Sequence, residues 1–208
     1  MLVTLCFLLV SALSVPAFPQ ANDQAQPVPR TSTGKRAASF LTGAAIGLGA
    51  HEAGHVLADL ALGEKPGLQK VDFHGVPFFA ITHRSGLSPR REFTISSAGF
   101  WVQHAGNEWL LSRRPNLRRE QAPLAKGLLA FNVIASVAYA GTAFAKTGPV
   151  ERDTRGMAAS LRIDERWIGA LVLAPALLDA WRYRHPEAKW AAWTSRGVKI
   201  GMVVLVAR

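Results

Sequence analysis

The chain has 208 residues, enough for one domain with a sizeable core. It carries a formal net charge of +10 and is 49% hydrophobic, but no aromatic-basic module or zinc-finger spacing accompanies the charge, which argues against a nucleic-acid partner. The apolar residues gather in blocks separated by Arg-rich stretches, the pattern of a multi-pass membrane protein with basic loops, and the single Cys6 excludes an intrachain disulfide.

Residues 1–17 form an apolar segment ending Ser14-Val15-Pro16-Ala17, which reads as a signal peptide or, lacking a positive start, as an N-terminal anchor. Residues 18–36 are rich in Pro, Gln, Ser and Thr without periodicity and read as a disordered linker. A single domain, 37–208, follows.

Its first element is an apolar run from Ala37 to Gly63, long enough to cross a bilayer as a helix, which takes about 20 residues. Within it stands His51-Glu52-Ala53-Gly54-His55. Side chains at i and i+4 of a helix share a face, so the two imidazoles can offer nitrogen to one ion. Zinc favours such ligands, with a third from elsewhere and an open position for water. Glu52, beside the first histidine, is placed to take a proton from that water. Ionisable groups inside an apolar span are costly and mark function. Gly43 and Gly47 have the spacing that lets helices approach closely in lipid.

Gly63, Pro66 and Gly67 end that helix, and Val71 to Thr82 reads as one or two short extended segments with a bend at Gly75 to Pro77. His74 and His83 read as loop histidines. Residues 93–111 carry Gln103, His104, Asn107 and Glu108; an acidic residue on a later helix is a common third ligand in soluble enzymes with this histidine motif, which makes Glu108 one candidate. A basic stretch holds Arg113, Arg114, Arg118 and Arg119, and residues 122–145 read as a further span. Residues 146–166 read as a charged connector. The block 167–183 contains Pro175 and Asp179; a proline bend would turn Asp179 inward. Residues 184–197 are basic, with Trp190 and Trp193 suited to a membrane interface, and the run from Val198 to Ala207 is short for a span.

His51-Glu52-Ala53-Gly54-His55, followed by Val56-Leu57-Ala58 and Leu62-Gly63, resembles the first transmembrane motif of site-2 proteases, which are intramembrane zinc metalloproteases. Ala98-Gly99 matches part of that family's Ala-Gly-Pro-x-x-Asn pattern, with Phe100 for the Pro and Gln103 for the Asn. Leu178-Asp179, with Pro175 upstream, resembles the family's Leu-Asp-Gly ligand segment, with Ala180 for the Gly. The resemblance implies a mainly α, polytopic membrane helix bundle with a short β hairpin-like insertion after the motif helix. It implies Zn2+ held by His51, His55 and Asp179, with Glu52 as general base. It also implies a strand edge, near Phe73, Phe78 and Phe79, that holds an extended substrate.

The expected function is therefore that of a zinc-dependent intramembrane endopeptidase, integral and multi-pass, whose partners are membrane lipids and a peptide or transmembrane-segment substrate. Two alternatives stand beside it. One is a non-catalytic multi-pass protein binding metal or a partner helix. The other is a soluble or periplasmic metallopeptidase with Glu108 as third ligand.

Overall fold

The computed structural model of the chain describes residues 32–73 and 76–207. The signal-peptide or anchor segment and most of the linker lie outside them. The described residues form six helices and one hairpin: α1 (Thr33–Ala61), β1 (Gly67–Phe73), β2 (Val76–Thr82), α2 (Pro89–Arg113), α3 (Pro123–Ala145), α4 (Asp153–Leu161), α5 (Glu165–Arg184) and α6 (Lys189–Ala207).

Helix α1 begins where Ser32 Oγ accepts the Lys35 amide at 3.4 Å, so Thr33–Arg36 belong to the helix and not to the linker. It stops at Gly63, whose φ of +74° few side chains tolerate. The extended segments pair as an antiparallel hairpin in the register Gly67↔Thr82 to Phe73↔Val76, the first strand starting earlier than the apolar alternation suggested. The charged connector contains helix α4, and the Trp-bearing segment joins the C-terminal run in one helix, α6. Neither was expected, because short polar helices carry little periodicity of their own.

Glycines set how the helices meet. A Cβ on Gly43 would strike the Leu124 backbone, one on Gly127 the Phe40 carbonyl, and one on Gly47 the Phe131 ring. Residues 40–47 of α1 thus run parallel to 124–131 of α3, backbone against backbone. Gly54 meets Ala98 and Val102, and Gly99 meets His51, so α2 runs antiparallel to α1. Helix α5 closes on α3 through Gly169 against Ala140 and Ala143. Two apolar clusters fill the bundle. One joins Phe93, Phe100, Met157, Ile168 and Val172, and the other joins Leu110, Leu111, Leu117 and Leu129.

Beside these apolar clusters, stretches of three helices bury polar side chains and expose apolar ones, the reverse of a water-soluble core. On α1 the buried positions are Gly43, Gly47, His51, Gly54, His55 and Asp59, while Leu41, Ile46, Leu48, Leu57 and Leu60 face outward. Asn132 and Ser136 of α3 are buried, and Ile134 and Val137 are exposed. On α5 Asp179 and Arg182 are buried, and Leu177 and Trp181 are exposed.

By length and composition, α3 is the one helix among the described residues apolar enough to cross a membrane. A polytopic bundle, expected from the blockwise hydropathy, is not supported on that measure. The ionisable residues and glycines of α1 dilute its hydropathy. The fold itself is mainly α with one short hairpin, as expected.

Candidate metal centre

His51 and His55 lie one turn apart on the buried face of α1, and both are almost fully enclosed. Their Nε2 atoms are 3.2 Å apart. Asp153 Oδ2 stands 3.1 Å from the first and 3.4 Å from the second. These separations match the edge of a tetrahedron around zinc, about 3.3–3.4 Å for ligand bonds of about 2.0–2.1 Å. The group His51, His55 and Asp153 can hold a metal ion.

The proton inventory allows two fillings of this space, an ion between neutral rings or a proton on His55. His55 Nδ1 lies 2.8 Å from the Ile95 carbonyl, so in the neutral ring it donates there and Nε2 carries a bare lone pair. An outer hydrogen bond of this kind typically fixes a metal-ligating histidine. With both rings neutral, one His51 proton serves three mutually facing acceptor atoms and a divalent cation would satisfy all three; with His55 protonated, its Nε2–H serves the same contacts without an ion. Burial alone would raise Asp153, but the two imidazoles beside it hold its carboxyl well below the usual carboxylate range.

Asp153 is held from both sides. It is the first residue of α4, where a carboxylate is favoured by the helix dipole. Its neighbour Arg152 makes two bonds to the Glu165 carboxylate, 2.7 and 2.6 Å, and Thr154 Oγ1 donates to the same group at 2.7 Å. Glu165, at the start of α5, therefore clamps the turn that presents Asp153. The His51 ring is fixed by Phe100, edge-on at 5.5 Å between centroids, and by Tyr139, stacked at 5.8 Å. Glu52 is half-buried and within electrostatic reach of His51, His55 and Asp153.

The two acidic candidates expected from sequence lie elsewhere. Asp179 is fully buried, and both its oxygens are occupied: Lys199 Nζ donates at 2.8 and 3.0 Å, Ser195 Oγ at 2.8 Å and Asn107 Nδ2 at 3.1 Å. Arg182 adds a contact at 3.4 Å. Glu108 is bound by Arg182, by Arg196 at 2.7 Å and by Lys199 at 3.3 Å. Neither joins the donor group with the histidines, because cations of α5 and α6 claim them first. Helix α5 continues through Pro175 without delivering Asp179 to α1.

Gln103 does face the interior, but its amide has no partner among the described residues, nor does either nitrogen of the adjacent His104. His83 sits in the loop after β2, bonded to Glu92 at 2.9 Å and 3.7 Å from Asp59. Asp153, Glu165, Phe100 and Tyr139 were not anticipated. The one sequence signal for Asp153 is an acidic residue opening a short helix between apolar blocks, which is common and weak.

No family model matches the chain, and the searches of curated proteins and of solved structures found no match.

Proposed function

We propose that the protein is a zinc-dependent, membrane-embedded peptidase in which His51, His55 and Asp153 hold the ion and Glu52 is the general base. The observation carrying this is the convergence of two Nε2 atoms and one carboxylate oxygen at tetrahedral-edge spacing, beside a glutamate on the same helical turn. Zinc in such a set acidifies water and polarises a carbonyl oxygen.

Glu52 would take a proton from water as the water oxygen bonds to the carbonyl carbon of an extended peptide. As the C–N bond breaks, Glu52 would return that proton to the leaving amine. Glu165 would keep Asp153 in place throughout. The free edges of the β1–β2 hairpin suit an extended substrate, which gains main-chain hydrogen bonds by strand addition.

The polar-in, apolar-out stretches of α1, α3 and α5 support embedding in lipid. Leucines that face outward on α1 would face water at a cost in a soluble protein, and buried polar side chains mark the interior of membrane bundles. The resemblance of the first motif to site-2 proteases points the same way, now with Asp153 in the place expected for Asp179.

Metal analysis of the purified full chain, with a cleavage assay on unfolded and transmembrane-segment peptides, tests the reading. One equivalent of zinc and cleavage that Glu52→Gln abolishes are expected. Absence of stoichiometric metal would overturn it. A second reading has its own support: Asp153 pairs directly with both histidines, so a protonated His55 makes the trio a metal-free pin between α1 and α4. In that case added zinc leaves the thermal stability unchanged.

A further inference from the structure

Helix directions gather one end of the bundle from the N-termini of α1 and α3, the C-termini of α2 and α5, and the start of α6. Arg36 and Lys126 line one cleft there, and Arg118 Nη1 bonds the Arg184 carbonyl at 3.3 Å. The segments at this end, 33–36, 113–126 and 184–189, hold nine Lys and Arg against two Glu. The opposite end, 59–92 and 146–166, holds ten against eight, and there Arg84 and Arg91 share Glu64 as partner. The positive charge of the protein is thus polarised to one end.

Four of the five exposed tryptophans follow it, Trp167 alone lying at the other end. Trp109, Trp181, Trp190 and Trp193 are all exposed and all lie within about one to two turns of the basic end, the last beside Arg196 at 5.6 Å. Tryptophan favours the headgroup level of a bilayer, and clustered basic side chains just beyond it favour anionic lipid, each worth about 1 kcal/mol near the surface.

We propose that this end is a membrane-interface surface that binds anionic phospholipid headgroups, so that the bundle sits with its basic end at the more negatively charged leaflet. The inference rests on the membrane placement proposed above and is independent of the metal.

The test uses the purified full chain in neutral detergent. Lipid retention is measured against phosphatidylglycerol and phosphatidylcholine, with inorganic phosphate as a further arm. The expected result is at least tenfold stronger retention of phosphatidylglycerol, weakened by salt and reduced at least fivefold in Arg36→Gln/Arg118→Gln/Arg119→Gln. An Arg155→Gln/Arg162→Gln variant at the other end retains the preference. Equal retention of the two lipids, or protection by free phosphate equal to that by phosphatidylglycerol, overturns the inference while leaving the membrane placement standing. A chain that stays monomeric in water without detergent overturns both. Should the triple variant not fold, the salt dependence of the wild type decides: a preference unmoved between 50 and 500 mM salt, roughly the range over which surface charge is screened, counts against the surface.

Discussion

His51 Nε2 stands 3.1 Å from Asp153 Oδ2, across 102 residues of sequence. That contact adds a third donor to the two histidines and makes the group one that could hold a metal ion. It predicts opposite behaviour for two aspartates. Asp153→Asn should lower zinc affinity by at least tenfold with little loss of fold. Asp179→Asn should keep zinc and destabilise the chain by up to about 3–5 kcal/mol, because buried Lys199 would keep only its longer contact to Glu108. Metal content and chemical denaturation of the two variants distinguish the roles, and metal loss in Asp179→Asn alone would reverse them.

Glu52 is expected to act on chemistry and not on metal. Glu52→Gln should retain one equivalent of zinc and lose about 10²–10⁴-fold in turnover, the usual range for a general base. Single-turnover cleavage beside metal analysis checks this. Wild-type turnover in the variant would remove Glu52 from the mechanism.

Gly99 is where α2 touches the histidines. A Cβ there would fall on the His51 ring. Gly99→Ala should therefore weaken zinc binding by about tenfold or more, the scale seen when ligand positioning is disturbed. Gly141, with open space around its Cα, is the control: Gly141→Ala should be neutral or stabilise by up to about 1 kcal/mol. Equal zinc affinity in the two variants would show that the ring moves freely.

Glu165 reaches the site only through its clamp on Arg152 and Thr154. Glu165→Gln should raise the zinc dissociation constant while leaving the protonation profile of Glu52-dependent turnover in place. Glu165→Ala, which cannot hold either partner, should raise it further. Metal titration followed across pH separates such a positioning effect from a change in the base.

His83 offers a pH-dependent hold on the loop between hairpin and α2. Its hydrogen bond to Glu92 raises its pKa above the ordinary histidine value, against the effect of partial burial, and the Asp59 charge adds to the rise. The folded state therefore binds the proton more tightly than the unfolded chain. Its stabilisation is fully present below about pH 6.5, the unfolded value, and is lost as pH rises through the folded value. The difference in melting temperature between wild type and His83→Asn should shrink from pH 6 to pH 9. A difference that grows over that range would contradict the pairing.

What could be read from the sequence was local. The two histidines one turn apart, the helix end at Gly63 and the extended hairpin follow from spacing within a few residues. Asp153 did not, because its approach to α1 depends on how α4 folds back onto α2 and α3. Asp179 misled for a physical reason: an acid in an apolar block needs a partner, and the sequence does not show that Lys199 and Ser195, from a run too short to look like a span, supply it. Glu108 was similarly claimed by Arg182 and Arg196. The fold class was legible from composition, but the arrangement of helices was written in glycines whose partners lie roughly 30 to 90 residues away.

Gly43 and Gly127 seat each other's helix, each lying where the other's main chain passes. Between them the chain makes the hairpin and all of α2, so during synthesis α1 emerges well before the helix it fits. Alone, α1 would present His51, Glu52, His55 and Asp59 to its surroundings with part of their cover missing. A nascent chain halted before Pro123 should accordingly be an early substrate for quality-control proteolysis, whereas one extended through Ala145 should survive. The helix that carries the two histidines lacks its closest neighbour until α3 is made.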